Sequence, residues 1–300
     1  MHVNVVNGFS DQPNGGNPAG VVLLGMEQSP QTQEITKEQM QEIATKLGYS
    51  ETAFIKILGE GRFFIRYFTP AAEVPLCGHA TIASFFYLYN RGIIGNGMYK
   101  LVTIETELAI EVTDGIIWME MDAPSMEEEL DATTVERICA AYGITTGDLD
   151  DRLKVRIVTS GLRDIHVCVK NREVLLGAIQ DAEEVSRISK ELDVVGVHMS
   201  CLKDASSMEL VTAYCSNFAP YYDIPEECAT GTSNGGLTYY LYRMGLVLPE
   251  KVNCFLQGEH MHRPSKVYTK VLLGEDVPQI WVGGQGVICE EDVNLSLKLS

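Results

Sequence analysis

The chain repeats itself, and that repeat constrains the fold more than any single motif. Residues 62–92 read RFFIRYFTP, a loop to Cys77, then CGHATIASFFYLYNRG, and residues 210–245 read LVTAYCSNFAP, a loop to Cys228, then CATGTSNGGLTYYLYRMG. The offsets agree closely: Pro70 to Pro220 is 150, Cys77 to Cys228 is 151, and both Arg91 to Arg243 and Glu105 to Gln257 are 152. Each copy predicts a strand ending in Phe-x-Pro, a loop, a cysteine, a turn of small residues and a helix ending in a basic residue and glycine. The offset is about half of the 300 residues, so each half is close to the common size of a domain, about 100–150 residues. Two similar halves with a cleft between them are therefore expected, with the two cysteines in equivalent places.

Between the landmarks the pattern is rich in strands and poor in helices. Thr36–Leu47 predicts a helix, with Thr36 and Gln39 as a capping box, Met40, Ile43, Ala44 and Leu47 on one face, and Gly48 as the stop. Thr133–Tyr142 predicts a second helix, with Glu136 completing its capping box. Strand-like runs are His2–Val6, Ala53–Leu58, Phe63–Phe68, Leu108–Val112, Ile116–Met121, Val155–Val158, Ile165–Val169, Leu210–Tyr214, Lys266–Leu272 and Ile280–Val282. Regular alternation of strand and helix is missing, so the expected class is α+β with largely antiparallel sheets.

Composition narrows the partners. Lys and Arg total 23 against 41 Asp and Glu, a net charge of −18 that repels phosphate backbones and anionic headgroups. Nucleic acid and membrane are not expected partners. The amino-terminal MHVNVVNGFSDQP lacks the features of a secretory signal, so a cytoplasmic protein with eight reduced cysteines is expected. No cysteine or histidine spacing reads as a metal site.

The repeat also suggests chemistry. A cysteine just before a helix feels the positive end of the helix dipole, which can lower its pKa from about 8.5 toward 3.5–7.5. Cys77 and Cys228 are both expected in that position. The turns Gly78–Thr81 and Ala229–Ser233 offer backbone N–H groups for a carboxylate. Two such thiols on opposite faces of one carbon could remove and return a proton, giving a racemase or epimerase. His79 could shuttle a proton, Glu226 and Glu227 could bind an ammonium or act as acid or base, and Glu51 is undistinguished on these grounds. Gly231-Thr-Ser233-Asn-Gly235 matches a hydrolase nucleophile elbow, but the acid and histidine that should follow are reduced to the cluster at Glu259, His260 and His262. A solvated loop is the simpler reading of His260 and His262, and no dinucleotide-binding glycine pattern is complete. A binding protein that kept the fold without the chemistry is a further alternative.

Six strings together resemble the phenazine-biosynthesis isomerase (PhzF-like) family, which shares its fold with diaminopimelate epimerase and proline racemases. They are GNPAGVVL ending at Leu23, SETAFI at 50–55, RYFTPAAEVPLCGHATIAS at 66–84, EECATGTSNGGL at 226–237, QGEHMHRPSKV at 257–267 and WVGGQG at 281–286. The resemblance implies two pseudo-symmetric halves, each a curled, mostly antiparallel sheet around a central helix, over 1–122 with 284–300 and over 123–283. It implies a homodimer that needs no metal or organic cofactor and acts on a small carboxylate-bearing substrate. Residue by residue, it assigns the catalytic acid/base to Glu51 and site roles to His79 and Glu227, with Asn17, Gly78, Ala80, Thr230, Gly231 and Thr232 as substrate-binding positions. The family's usual Asp-Pro-x-Thr-Gly-Ser is here Glu227-Cys228-Ala229-Thr230-Gly231-Thr232. This brings Cys228 toward the racemase pattern, paired with Cys77. His262 stands where a glycine is usual.

Overall fold

A computed structural model describes residues 2–25, 35–203, 210–274 and 277–294. In chain order the elements are β1 (His2–Gly8), β2 (Asn17–Leu23), α1 (Lys37–Leu47), β3 (Glu51–Gly59), β4 (Arg62–Phe68), β5 (Glu73–Val74), α2 (Gly78–Asn90), β6 (Gly97–Val102), β7 (Glu107–Thr113) and β8 (Ile116–Glu120). There follow β9 (Ser125–Glu129), α3 (Ala132–Ala141), β10 (Arg156–Thr159), β11 (Arg163–Val169), α4 (Arg172–Gly177), α5 (Ala182–Leu192), β12 (Gly196–Leu202), β13 (Ala213–Ala219), β14 (Ile224–Glu227), α6 (Gly231–Arg243), β15 (Asn253–Gln257), β16 (Ser265–Leu272), β17 (Gln279–Gly284) and β18 (Gly286–Asn294). The chain divides into two compact units, Met1–Met119 with Gly283–Ser300, and Glu120–Val282.

In the first unit β1 pairs antiparallel with β18 and β2, β2 runs parallel to β3, β3 is antiparallel to β4, and β4 is parallel to β6, which is antiparallel to β7. In the second unit the same order recurs: β9 antiparallel to β10, β10 to β11, then β11 parallel to β12, β12 antiparallel to β13, and β13 parallel to β15, which is antiparallel to β16. The sequence repeat is thus a repeat of ladder order, in a mixed α/β protein dominated by strands. Most described pairings are antiparallel, as expected, and each unit also contains two parallel steps. Parallel neighbours need a crossover, and α1, α2, α5 and α6 provide one each.

Two kinds of helix result. α1 carries Met40, Ile43 and Ala44 on one face, packed on Val3, Val22, Phe54 and Phe68. Its Thr36–Gln39 capping box is formed, and Gly48 closes it at φ 69°. α3 and α5 likewise pack Ile138, Val185 and Ile188 onto Ile165, Val167, Val197 and Phe218. By contrast α2 is buried from His79 to Phe85 without a polar face, against β1, β2, β3 and β18. α6 is buried over most of its length against β9, β10, β11 and β16. A helix buried on every side needs sheet around it.

Some expectations are corrected. α3 is capped by Asp131, whose carboxylate accepts from the Thr134 N–H, in place of a Thr133–Glu136 box. Asp131 lies two residues earlier and reaches the free N–H first. The run at Leu210–Tyr214 starts its strand only at Ala213 and continues to Ala219, whose seven residues are all buried. Strands buried on both faces lose the alternation that marks a strand boundary.

The parallel ladders bring particular residues to one end of each unit. Gly8 pairs with Asn17 at the end of β1, and the β2–β3 ladder opens on Ala19 opposite Glu51. α2 starts against the same end, so closely that a Cβ on Gly8 would lie 2.5 Å from the carbonyl oxygen of His79. In the second unit the corresponding ladder opens on Asp164 opposite Gly196, where a Cβ on Gly196 would lie 2.0 Å from the Phe218 oxygen. A Gly8→Ala substitution is expected to destabilise the protein by about 1–3 kcal/mol. The measurement is the denaturation midpoint by circular dichroism, and an unchanged midpoint would refute this packing.

Candidate active site

Glu51, at the start of β3, and His79, in the first turn of α2, meet with Glu51 Oε2 3.1 Å from His79 Nε2. Both are largely withdrawn from water, with side-chain exposures of 4% for His79 and 18% for Glu51. Ser50 Oγ lies 3.3 Å from Nε2, and Asn17 Nδ2 lies 3.2 Å from Nδ1 on the other side of the ring. Cys77 Sγ is 3.4 Å from Nδ1 and 3.8 Å from Nε2. The imidazole is therefore held from both edges. Oε2 of Glu51 is buried, and its 3.1 Å contact with Nε2 is not a well-aligned hydrogen bond.

Electrostatics divide the roles among these groups. Burial alone would raise the Glu51 carboxyl, but His79 first, with help from Ser50 and Cys77, holds it below the ordinary 4.5. Burial would likewise discharge His79, and its contacts with Cys77 and Glu51 override that and raise it well above 6.5. Burial pushes the Cys77 thiol up to about 11, and the Glu51 carboxylate adds to the effect. A thiol at that value stays protonated near neutrality, so there the charge that raises His79 is that of the Glu51 carboxylate, and Cys77 adds to it only when it is itself ionised.

This corrects the expectation of an activated thiolate. Cys77 is the N-cap of α2, as expected, with no side-chain capping bond. Its desolvation and the adjacent carboxylate outweigh the helix dipole, which is worth only about 0.3–1 kcal/mol. Cys228 departs further, because the N-cap of α6 is Thr230 and Cys228 lies two residues before it, buried. The repeat's equal spacing of the cysteines therefore does not make them equivalent at the helix starts.

In the second unit the structure gathers a different group. Thr230 Oγ1 donates to Glu227 Oε2 at 2.6 Å, while Gln257 Nε2 donates to the Glu227 carbonyl at 2.7 Å and to Thr230 Oγ1 at 3.0 Å. Gln257 Oε1 accepts from Asn234 Nδ2 at 2.7 Å and from the Thr230 N–H at 3.3 Å. Glu227 is thus fixed through Thr230, and the Thr230 N–H is already engaged. Gly231 and Thr232 form the first turn of α6, as Gly78 and Ala80 do in α2. Ser50, Asn234 and Gln257 were not singled out from sequence as site residues, although Ser50 adjoins Glu51 and Gln257 is a landmark of the repeat.

The hydrolase motif resolves into structure. Ser233 lies inside the first turn of α6, buried, with Oγ donating to Asp164 at 2.6 Å. Burial pushes Asp164 up to about 7, so this acid is no general triad partner, and His260 is bound elsewhere, 2.8 Å from the Leu176 oxygen. Glu226 sits 3.3 Å from His260 Nδ1, apart from the Glu227 network. Among the described residues, Glu51, Cys77 and His79 offer three ligand atoms within 4.8 Å of one another. No helix among them is long and apolar enough to cross a membrane.

The model of phenazine biosynthesis-like proteins matches residues 6–292. The chain belongs to that family. An uncharacterized isomerase of Bacillus subtilis, YfhB, is 29% identical over 263 residues, covering 86% of each chain. A crystal structure of a PhzF-family phenazine biosynthesis protein from Bacillus anthracis superposes with a TM-score of 0.84 at 27% identity, covering 97% of each chain. A hydroxyproline epimerase from Agrobacterium vitis, with a TM-score of 0.57 at 13% identity over 97% of this chain and 90% of its own, shares the fold. By family the chain is an isomerase.

The thiol's protonation gives a direct test. Iodoacetamide at neutral pH is expected to leave Cys77 largely unmodified while the exposed Cys289 reacts. Glu51→Gln, which removes one cause of the raised pKa, is expected to speed labelling of Cys77. Peptide mass spectrometry reads both rates, and fast labelling of Cys77 in the unaltered protein would contradict the assignment.

Proposed function

We propose that the protein is a cofactor-independent isomerase that moves a proton on a small carboxylate-bearing substrate, with Glu51 as the acid/base. The observation that carries this is the Glu51 carboxyl, largely withdrawn from water, with Oε2 3.1 Å from His79 Nε2; the neighbours of each group favour its charged form, lowering Glu51 and raising His79. Such a carboxylate can take a proton from a carbon next to an electron-withdrawing group and return it to another carbon, so that a double bond shifts and the composition is unchanged. His79 lies where it can oppose the negative charge that develops or supply a proton. The first turn of α2, at Gly78 and Ala80, suits the substrate carboxylate, and Asn17, 3.2 Å from Nδ1, steadies the ring. Glu227, fixed by Thr230, and the turn at Gly231 and Thr232 are assigned to substrate handling on the second unit.

The two-thiol racemase, with Cys77 and Cys228 as bases, is the weaker reading. A thiol raised to about 11 is a poor base at neutral pH, and Cys228 is not at the helix cap. A cytoplasmic protein follows from the sequence reading of its eight cysteines as reduced thiols, and the family resemblance supports a homodimer.

The test is proton NMR in D₂O with a panel of cyclic unsaturated acids, hydroxyprolines and amino acids. Exchange or double-bond migration is expected to fall about 10²–10⁴-fold in Glu51→Gln and to persist in Cys228→Ala. Because Glu51 is held below 4.5, the base form survives into acid, and the acid limb of the rate is expected below pH 4.5. Exchange that survives Glu51→Gln and vanishes in Cys228→Ala would overturn the reading in favour of the thiol pair.

A further inference from the structure

We propose that Glu51, Cys77 and His79 also bind one soft divalent cation, zinc in kind, and that the bound ion switches the proton-transfer site off. The binding stands on the geometry of the three side chains, whereas the switching rests on the function proposed above. The donors are a carboxylate oxygen, a sulfur and an imidazole nitrogen, all within 4.8 Å of one another. Tetrahedral zinc with bonds of about 2.0–2.3 Å separates such donors by roughly 3.3–3.7 Å. The oxygen-to-Nε2 and sulfur-to-Nε2 separations, 3.1 and 3.8 Å, already bracket that range. An ion seated between Glu51 Oε2 and His79 Nε2 is completed when the Cys77 side chain turns about its Cα–Cβ bond to bring Sγ onto it.

Three further features favour an ion. Oε2 is a buried carboxylate oxygen whose neighbour at 3.1 Å, Nε2 of His79, is itself a metal donor once deprotonated. Asn17 lies 3.2 Å from Nδ1; with its amide turned so that Oδ1 faces the ring, it accepts from Nδ1–H and leaves Nε2 free for the metal, as outer-shell partners of metal-bound histidines do. The donor set selects the metal: sulfur with imidazole suits zinc, whereas magnesium and calcium prefer oxygen alone. On binding, the Cys77 thiol proton and any extra imidazole proton pass to solvent, no electrons move, and the carboxylate and thiolate balance the two positive charges. The Glu51 lone pair is then on the metal and unavailable to substrate.

The test uses the full chain, stripped with a chelator and titrated with Co²⁺ and then Zn²⁺ while the near-ultraviolet spectrum is followed. The expected result is one equivalent of cobalt with a sulfur-to-cobalt charge-transfer band that zinc bleaches. The band is expected to be lost in Cys77→Ser and in His79→Gln, unchanged in Cys289→Ser, and to need about 10–100-fold more metal in Asn17→Ala. Circular dichroism confirms that each variant is folded, and zinc protection of Cys77 from alkylation at high pH gives a second readout. A band that persists in Cys77→Ser, or no binding at micromolar metal, overturns the proposal. Loss of exchange in Glu51→Gln with no cobalt band would sink the metal site alone, whereas a cobalt band in a protein whose exchange survives Glu51→Gln would sink the proton-transfer reading and leave the metal site standing.

Discussion

The rest of the structure follows from α2 having no polar face. A helix that is buried from His79 to Phe85 can be stable only if strands approach it from several directions, so the sheet that covers it must curl. Within that sheet the parallel steps β2–β3 and β4–β6 need helical crossovers, which α1 and α2 supply. The first of those steps carries the ends of β2 and β3 to the start of α2. Asn17, Glu51 and His79 are together because of it, although they are distant in sequence. The close approach of Gly8 to the His79 carbonyl fixes how far α2 can slide, and so fixes the height of the imidazole against the carboxylate.

Burial also explains which group carries the charge. In a dry site, an ionised group survives only beside an opposite charge or several donors. Glu51 has His79, Ser50 and Cys77 around it; Cys77 has a carboxylate as its neighbour and is therefore driven to the neutral form. The same desolvation that silences the thiol makes the Glu51–His79 pair strong, because each partner has little water left to screen it.

Much of this was legible before any coordinates. The duplication, the Thr36 cap, the αL stop at Gly48 and most strand cores could be read from spacing, since they depend on local patterns. The site was legible only in part. Cys77 and His79 announced themselves by residue type, but Glu51 did not, because what distinguishes it from a solvated loop carboxylate is a parallel ladder and a helix start nearly 30 residues away in the chain. The state of Cys77 was misjudged for a related reason: helix position is local and visible, whereas desolvation is a property of everything packed around it. Gln257 shows in the sequence only as a landmark of the repeat, and its four hydrogen bonds to Glu227, Thr230 and Asn234 reveal what it does.

The two units share a ladder order, but they do not share freedom at the place where the first keeps its carboxylate. The residue that opens the second unit's ladder in the position of Glu51 is Gly196, and a Cβ there would press against the Phe218 carbonyl. No side chain of any kind fits without moving a neighbouring strand. An acid at 196 would demand a rearranged backbone as well as a changed residue, so the second unit has no room for a counterpart of the Glu51 carboxylate.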